Sequence, residues 1–334
     1  MEVFWNEYWQ ALFGDLISPQ KRVSLTYLLS AFIIALLSLS FFGHKLPIKR
    51  AVRHVFQAKV WWSATAFADY KTLVINAFIL KLISPFLLAK MLVAIWLFEQ
   101  WHWLLPDKPE PNIWPTWLVV LCFTVFQFVL DDFCRFYLHR LMHRWPFLWA
   151  FHRVHHSATE LNPFTVFRTH PVESVLFSLR STLSQGFSIA LFFYLFPNQV
   201  DIYMVLGVNV VTFVFNLLGA NLRHSNVMLC YPHWLEKLFI SPAQHQIHHS
   251  VAREHWDKNF GVVLACWDRW FKSLHHSDPK QVLKFGLSLN TQENQHSLYA
   301  LYLSPCFQSL RMLLLVPSQF VVKKLKASTE KPRV

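Results

Sequence analysis

Charged residues are scarce in this sequence of 334 residues. Asp, Glu, Lys and Arg make up 15% of it, whereas 54% of the residues are hydrophobic; an average soluble domain carries about a quarter charged residues. This balance favours a membrane protein with a polar part attached. Acidic residues are outnumbered by basic ones: 19 Asp and Glu stand against 31 Lys and Arg, which gives a net charge of +12. The basic residues lie beside apolar segments rather than in an arginine-rich arm, so we expect membrane lipids as partners and no nucleic acid.

Glycine and paired cysteines are scarce as well. The seven glycines form no GxGxxG pattern, so no dinucleotide-binding fold is indicated. Five cysteines lie far apart without a CxxC pair, which argues against a thiolate zinc site and against a disulfide framework. The His-Pro-Gly-Gly motif of a fused cytochrome b5 is also missing. Redox chemistry by this chain would therefore need a separate electron donor.

Long apolar segments, in contrast, are abundant. Five are long enough to cross the hydrocarbon core as helices, at residues 24–42, 72–98, 116–130, 174–196 and 203–220. Pro85 predicts a kink in the second segment. The third is expected to continue as a helix through Asp131, Asp132 and Arg135, and the last two predict a helical hairpin. A shorter apolar segment, 311–322, predicts an interfacial or packing helix.

The fold class that these segments predict is all-α. We expect a polytopic membrane bundle of about four to five spans with a cytoplasmic histidine-rich helical cap. The bias of Lys and Arg near the span ends places the loops 43–71, 131–173 and 221–310 in the cytoplasm. A re-entrant pair over 72–98 would invert the topology that precedes it.

The chain is expected to have three parts. An N-terminal membrane region covers 1–115 and holds two spans after an amphipathic helix, which lies at the membrane interface or packs on the protein. A catalytic domain covers 116–276, and a cytoplasmic or interfacial tail covers 277–334.

Histidine is the residue whose placement is least expected. Of 18 histidines, 14 lie between residues 139 and 276. Eight form three clusters, HRLMH, HRVHH and HQIHH, and are His139, His143, His152, His155, His156, His245, His248 and His249. Residues at i, i+3 and i+4 share one helix face, so we expect each cluster to direct its imidazoles at a single point. Imidazole suits Zn, Cu, Fe and Ni, and eight nitrogens exceed the needs of one ion, which predicts two.

The order of motifs resembles the fatty acid hydroxylase/sterol desaturase superfamily of membrane enzymes. An HX3H box, an HX2HH box, a membrane hairpin and a second HX2HH box follow one another over about residues 116–273. Shorter elements of the same superfamily are matched by RTHPVE at 168–173, RHSN at 223–226, DKNFG at 257–261 and WDRWF at 267–271.

This resemblance implies a non-haem centre of two Fe ions that uses O2 to hydroxylate or desaturate a C–H bond of a lipid of the sterol or fatty acyl type. It implies that the eight box histidines are ligands and that His170 and His224 are additional ligands. The alternative for His170 is a helix cap before Pro171, and His224 has a similar non-ligand alternative. No catalytic residue beyond the metal centre is predicted, and His255 is the best candidate for a supporting role.

Three further expectations follow from the motifs. Asp131 and Asp132 either orient a ligand histidine or are charged residues at a span end. Lys272-Ser273 replaces the superfamily's usual Gly-Thr, and we expect this change to affect substrate fit rather than metal binding. The electron donor is expected to be a ferredoxin, or a cytochrome b5 with its reductase.

Two other functions are compatible with clustered histidines. A zinc-dependent membrane hydrolase is one, although HRLMH lacks the Glu of HExxH. A metal transporter is the other, although its ligands should lie near mid-membrane. For the oxidoreductase we expect an integral membrane protein with its histidines on the cytoplasmic face of a bacterial inner membrane or the endoplasmic reticulum.

Overall fold

The computed structural model describes residues 2–18, 23–42, 45–87, 89–105, 114–197, 199, 210–287 and 295–314. Within these ranges the regular structure is helical, and β-pairing is confined to two isolated bridges. The helices are α1 (Glu2–Ile17), α2 (Leu25–Leu37), α3 (Ile48–Val55), α4 (Ala58–Trp61), α5 (Ala64–Ile83), α6 (Lys90–Leu104), α7 (Thr116–Arg144), α8 (Pro146–His156), α9 (Pro171–Leu195), α10 (Val210–Leu217), α11 (His233–Glu236), α12 (Pro242–His248) and α13 (Cys266–Trp270). Residues 304–314 are also helical. The all-α prediction is confirmed.

Three helices in the described ranges are long and apolar enough to cross a membrane. They are Leu25–Phe42, which is α2 with a following π-helical turn, together with α7 and α9. At most 39% of the residues in the most apolar window of each helix are buried, and α2 presents Leu29, Ile33 and Leu37 outward. Exposed apolar area of this extent is typical of a surface that contacts lipid. The predicted spans at 24–42, 116–130 and 174–196 are thus confirmed as membrane-length helices.

The segment 72–98, predicted as a span with a kink at Pro85, is divided between two helices. Helix α5 ends at Ile83, a 3-10 turn occupies Ser84–Phe86, and α6 begins at Lys90. The break falls at Pro85, because proline lacks the N–H that a helix interior needs and its ring clashes with the preceding turn. Of the hairpin's second arm, 203–220, residues 203–209 lie outside the described residues, while Val210–Leu217 form α10. Most of 311–322 also lies outside the described residues.

Helices α6, α7 and α9 pack together around a small apolar core. Ala94 of α6, Phe123 of α7 and Phe192 of α9 are buried in this cluster. Gly186 allows α6 and α9 to approach closely, since a Cβ atom there would lie 2.7 Å from Cγ1 of Val93. The packing aligns α7 and α9, whose ends carry the histidine motifs.

A fully buried ion pair joins the N-terminal region to the loop after α8. The guanidinium of Arg168 donates to Oδ1 of Asp69 at 3.1 Å, and neither side chain is exposed. Arg168 also donates to the Ser157 hydroxyl at 3.0 Å and to the Thr65 carbonyl at 3.1 Å. Helix α5 thereby fixes the position of the loop that leads from α8 to α9.

Candidate metal centre

Three helices deliver the clustered histidines. Helix α7 continues without a break past Asp131 and ends at Arg144, as predicted, so His139 and His143 lie on its last turns. Helix α8 begins at Pro146, which suits a first helical turn, and carries His152, His155 and His156.

The third cluster lies on the short helix α12. This helix starts at a capping box, in which Ser241 accepts from the Gln244 backbone N–H and Gln244 accepts from the Ser241 N–H. Such a reciprocal cap satisfies two N–H groups that a helix start otherwise leaves unpaired. The cap holds a helix of only seven residues in a defined orientation, which fixes His245, His248 and His249.

Nine of the ten predicted histidines converge in two groups. The first group is His139, His143, His152, His156 and His248, and the second group is His155, His224, His245 and His249. Within each group the candidate ligand nitrogens all lie within 4.8 Å of one another. The groups are adjacent, since the rings of His156 and His249 stack with centroids 4.5 Å apart. Histidines from both flanks of α9 therefore meet in one place.

The expectation that each cluster points at a single site holds for HRLMH, whose two histidines both join the first group, and is wrong for the two HxxHH boxes. In α8, His152 and His156 join the first group while His155 joins the second. In α12 the division is reversed, because His245 and His249 join the second group while His248 joins the first. Residues i and i+4 are offset by only about 40° around a helix, whereas i+3 and i+4 differ by about 100°. Each HxxHH box thus contributes to both groups.

The first group has its ring orientations fixed by hydrogen bonds. Nδ1 of His139 donates to the Phe260 carbonyl at 2.8 Å, and Nδ1 of His248 donates to the Lys258 carbonyl at 2.8 Å. A carbonyl oxygen only accepts, so both rings carry their hydrogen on Nδ1 and a lone pair on Nε2. Nδ1 of His152 lies 2.9 Å from Oε1 of Glu173, the usual contact of a carboxylate that orients a ligating histidine.

The remaining nitrogens of this group face one another. Nε2 of His139 and Nε2 of His152 are 3.1 Å apart, and Nε2 of His248 is buried with no hydrogen-bond partner in the described residues. Buried lone pairs without donors are costly. A metal cation among them would satisfy them all, so the geometry of the first group fits a metal ion.

The second group is built around the Nε2 atom of His224. It lies 3.0 Å from Nε2 of His245, 3.2 Å from that of His249 and 3.3 Å from that of His155. Nδ1 of His245 and Nδ1 of His249 are buried without a hydrogen-bond partner in the described part of the chain. Four convergent imidazoles fit a second metal ion of a type that binds nitrogen ligands.

Burial keeps these imidazoles neutral. Desolvation, followed by repulsion from neighbouring imidazoles, lowers the pKa of five histidines well below the usual value; they are His152, His156, His245, His248 and His249. For His248 a hydrogen bond to the Lys258 carbonyl partly opposes this lowering. Neutral imidazole is the form that binds metal.

His170 is the one predicted ligand that lies outside both groups. Its Nδ1 accepts from the Val172 N–H at 3.2 Å at the start of α9, and its Nε2 lies 3.0 Å from the Tyr302 carbonyl. The structure thus gives His170 the helix-capping position that was the alternative. His255 is also apart, with Nε2 bonded to Gln281 at 3.0 Å.

The two aspartates before the first box form their hydrogen bonds with groups other than histidine in the described part of the chain. Asp131 pairs with Arg135 at 2.9 Å and with Arg180 at 2.6 Å. Asp132 accepts from the backbone N–H groups of Val263 and Leu264. The carboxylate within hydrogen-bond distance of a histidine of the first group is Glu173, whose only sequence signal was its place in RTHPVE.

The DKNFG and WDRWF motifs shape the loop that supplies the Phe260 carbonyl. Asp268 accepts from the N–H groups of Phe260 and Gly261 at 2.9 and 2.7 Å. Gly261 is required here, because a Cβ atom would lie 2.7 Å from the Leu264 carbonyl oxygen. The loop therefore holds an acceptor for His139 in a fixed position.

The Lys272-Ser273 pair belongs to the turn that Asp268 organises. Lys272 adopts a left-handed φ of 60°, a conformation that glycine takes without strain. The Ser273 hydroxyl donates to Asp268 at 2.6 Å. Ser273 thus retains the hydroxyl that Thr would supply, while Lys272 adopts a strained backbone conformation where Gly would not. Neither side chain belongs to a histidine group.

These features define a helical protein with membrane-length helices and a buried polyhistidine centre. Residues 124–273 match the family model described as fatty acid hydroxylase. This match covers the region that carries the histidine boxes, and the resemblance found in the sequence is confirmed there.

Curated relatives share the same region. The chain is 27% identical to the alkylglycerol monooxygenase of Danio rerio over 58% of this chain and 37% of the relative. It is 28% identical to the Delta(7)-sterol 5(6)-desaturase ERG3B of Gibberella zeae over 52% of this chain and 46% of the relative. It is also 28% identical to the ornithine lipid hydroxylase OlsE of Rhizobium tropici, over 53% of this chain and 48% of the relative. The matched region thus spans about a third to a half of the length of these relatives. No solved structure matches the chain.

Proposed function

We propose that this protein is an integral membrane oxidoreductase with a non-haem di-iron centre, which uses O2 to hydroxylate or desaturate a C–H bond of a lipid. The observation that carries the proposal is the pair of adjacent histidine groups, whose candidate ligand nitrogens converge within 4.8 Å in each group. In the first group, Nε2 of His143 and Nε2 of His248 are also buried with no hydrogen-bond partner in the described residues. The names of the three relatives supply the class of reaction, since each describes oxidation of a lipid.

The proposed ligands are divided by group. Five histidines, His139, His143, His152, His156 and His248, would hold one iron, and four, His155, His224, His245 and His249, would hold the other. We leave His170 out of this set because its nitrogens already contact the Val172 N–H and the Tyr302 carbonyl.

The bound irons would supply the activation of O2 and the oxidising power for the C–H bond. The chain's own residues supply position and exclusion of water. Burial keeps the imidazoles neutral, the Phe260 and Lys258 carbonyls hold two rings in the orientation that exposes Nε2, and Glu173 holds a third.

Electrons would come from a separate protein, and we propose a ferredoxin, or a cytochrome b5 with its reductase. Arg144 is exposed and directly follows His143 of the first group in the chain, and Arg253 is exposed five residues after His248 of the same group. Basic residues at such a surface favour an acidic partner. We place this surface in the cytoplasm, on the basis of the Lys and Arg bias of the loops.

Metal content and oxygen dependence test the proposal together. The chain is purified in detergent, its metals are counted by mass spectrometry, and conversion of extracted lipids is followed with and without O2. We expect about two irons per chain and conversion that requires O2. One zinc without oxygen consumption would favour the hydrolase, and metal uptake into vesicles would favour the transporter.

Cellular lipids identify the product. Lipid profiles of cells with and without the gene are compared, and the comparison is repeated with His248→Ala and with the control His255→Ala. We expect the product to disappear in the first variant and to remain in the second. A product that persists in the His248→Ala strain would overturn the assignment.

A further inference from the structure

An apolar cavity of about 200 Å³ lies between the first membrane-length helix and the segment that carries His224. Its walls come from α2, from α3 and α4, from the turn at 161–164 and from residues 221–227. Apolar side chains dominate the lining, among them Leu28, Phe32, Val60, Leu161 and Leu222. Empty apolar space of this size inside a protein is a site for an apolar ligand.

Asn162 and Ser225, two of the polar side chains at the cavity, already form hydrogen bonds within the protein. Asn162 donates to Asp69 at 3.0 Å, and its own oxygen accepts from the Phe164 N–H at 2.9 Å. The Ser225 hydroxyl donates to the Leu222 carbonyl at 2.8 Å. A polar headgroup in this cavity would need hydrogen-bond partners, and these side chains already have theirs. The lining therefore favours a hydrocarbon occupant.

One wall of the cavity belongs to the surface that would meet lipid. Ala31 and Ala35 lie one turn apart on the inner face of α2 and line the cavity. Their small side chains leave space that larger residues would fill. The opposite face of the same helix exposes Leu29 and Ile33, so the cavity is one helix thickness from the lipid-facing side.

The other wall adjoins the second histidine group. Leu222 and Ser225 line the cavity, and His224 between them belongs to the group. Gln246 of the third histidine box donates to the carbonyls of Leu222, Ser225 and Val227 at 2.9, 3.2 and 2.9 Å. Residues 221–227 thus border the cavity on one side. They are also hydrogen-bonded to Gln246, which lies in the same histidine box as His245 and His249.

We infer that this cavity holds a linear alkyl segment of the lipid substrate, beside the second histidine group. The inference rests on the proposed function and narrows its substrate class. A cavity of about 150 Å³ binds benzene, so in proportion this one admits about eight carbon atoms. That volume suits part of an acyl or alkyl chain and excludes the four fused rings of a sterol.

Photolabelling tests the inference without relying on turnover. The full-length, metal-loaded chain in lipid nanodiscs is irradiated with a stearic acid that carries a diazirine near its methyl end, and separately with a diazirine-bearing cholesterol. Labelled peptides are mapped by mass spectrometry. We expect the linear probe to label 28–35 and 221–227, competed by unlabelled stearic acid, and the cholesterol probe to label only outward-facing residues of α2.

Two substitutions that fill the cavity and one matched control complete the test. Ala31→Leu and Val55→Phe should each reduce labelling of 221–227 at least fivefold with metal content unchanged, whereas Ile33→Leu on the outer face of α2 should leave it unchanged. The second filling variant serves if the first does not fold.

The outcomes separate this inference from the proposed function. Full labelling of 221–227 in a folded filling variant, or equal labelling of that segment by cholesterol, would overturn the alkyl-chain site. If two irons and O2-dependent conversion persisted in that case, the proposed function would stand. If labelling occurs as expected but the chain neither binds iron nor consumes O2, the proposed function fails and the substrate role fails with it.

Discussion

The two histidine groups are supported in different ways. In the first group, two backbone carbonyls and one carboxylate fix the rings of His139, His248 and His152. In the second group, Nδ1 of His245 and Nδ1 of His249 have no such acceptor in the described residues. One group is oriented by the protein before a metal arrives, while the second relies more on packing of its rings against one another. The first should therefore bind metal more tightly, and the second should be the more easily emptied.

Removal of one ligand from each group gives the largest expected effect. His248→Ala in the first group and His245→Ala in the second should each lower O2-dependent turnover more than about 100-fold, because loss of a residue that only orients a ligand already costs about 10–100-fold. Iron per chain, measured by mass spectrometry, should fall by about one in each variant. His255→Ala is the control, and a ligand variant with full iron and full turnover would show that its histidine binds no metal.

Breaking the buried ion pair between Asp69 and Arg168 tests how much this pair contributes to the stability of the fold. Asp69→Ala leaves Arg168 charged and buried without its carboxylate, which should cost about 3–5 kcal/mol of stability. Thermal unfolding in detergent is the measurement, with Lys59→Ala as the control, since Lys59 forms only an exposed pair with Glu160 at 3.6 Å. An unchanged unfolding temperature in Asp69→Ala would contradict the structural role assigned to this pair.

Glu173 sharpens the comparison between the groups. Glu173→Ala removes the acceptor of His152 and should weaken metal binding in the first group about 10–100-fold. Metal release to a chelator should become faster for one iron and remain the same for the other. Glu173→Gln keeps an oxygen acceptor and should recover part of the affinity. Equal acceleration for both irons would argue against a role confined to the first group.

His170 gives the smallest expected effect. His170→Ala should retain both irons and lose about 0.5–2 kcal/mol of stability, the usual cost of replacing a helix cap with alanine. His170→Asn should restore stability, because asparagine is a favoured cap. Loss of an iron from either variant would return His170 to the ligand set.

Local sequence signals predicted much of this centre. The apolar run at 116–130 and the polar helical residues after it predicted one helix, and α7 extends from Thr116 to Arg144 as expected. Histidines at i, i+3 and i+4 predicted clusters on helix faces, and nine of the ten predicted residues converge. Spacing along a helix is a local property, so it can be read without knowledge of the fold.

The sharing of each box between two groups could not be read from the sequence. Whether His155 joins His152 or His224 depends on where a separate helix, α12, is placed against α8. The acceptors for His139 and His248 are backbone carbonyls, which every residue type carries. Glu173 and His170 lie in one motif, RTHPVE, yet only the fold separates the residue that contacts a ring from the residue that caps a helix.

The unbroken length of α7 determines how far His139 and His143 lie from the middle of the bilayer. At about 1.5 Å per residue, the helix needs about 20 residues to traverse about 30 Å of hydrocarbon. Counted from Thr116, that distance is used up near Arg135, and His139 and His143 follow one and two turns later. For the lipid oxidation proposed above, the carbon atom to be oxidised would therefore have to reach the level of the lipid headgroups, and a reaction at the bilayer midplane would be out of reach.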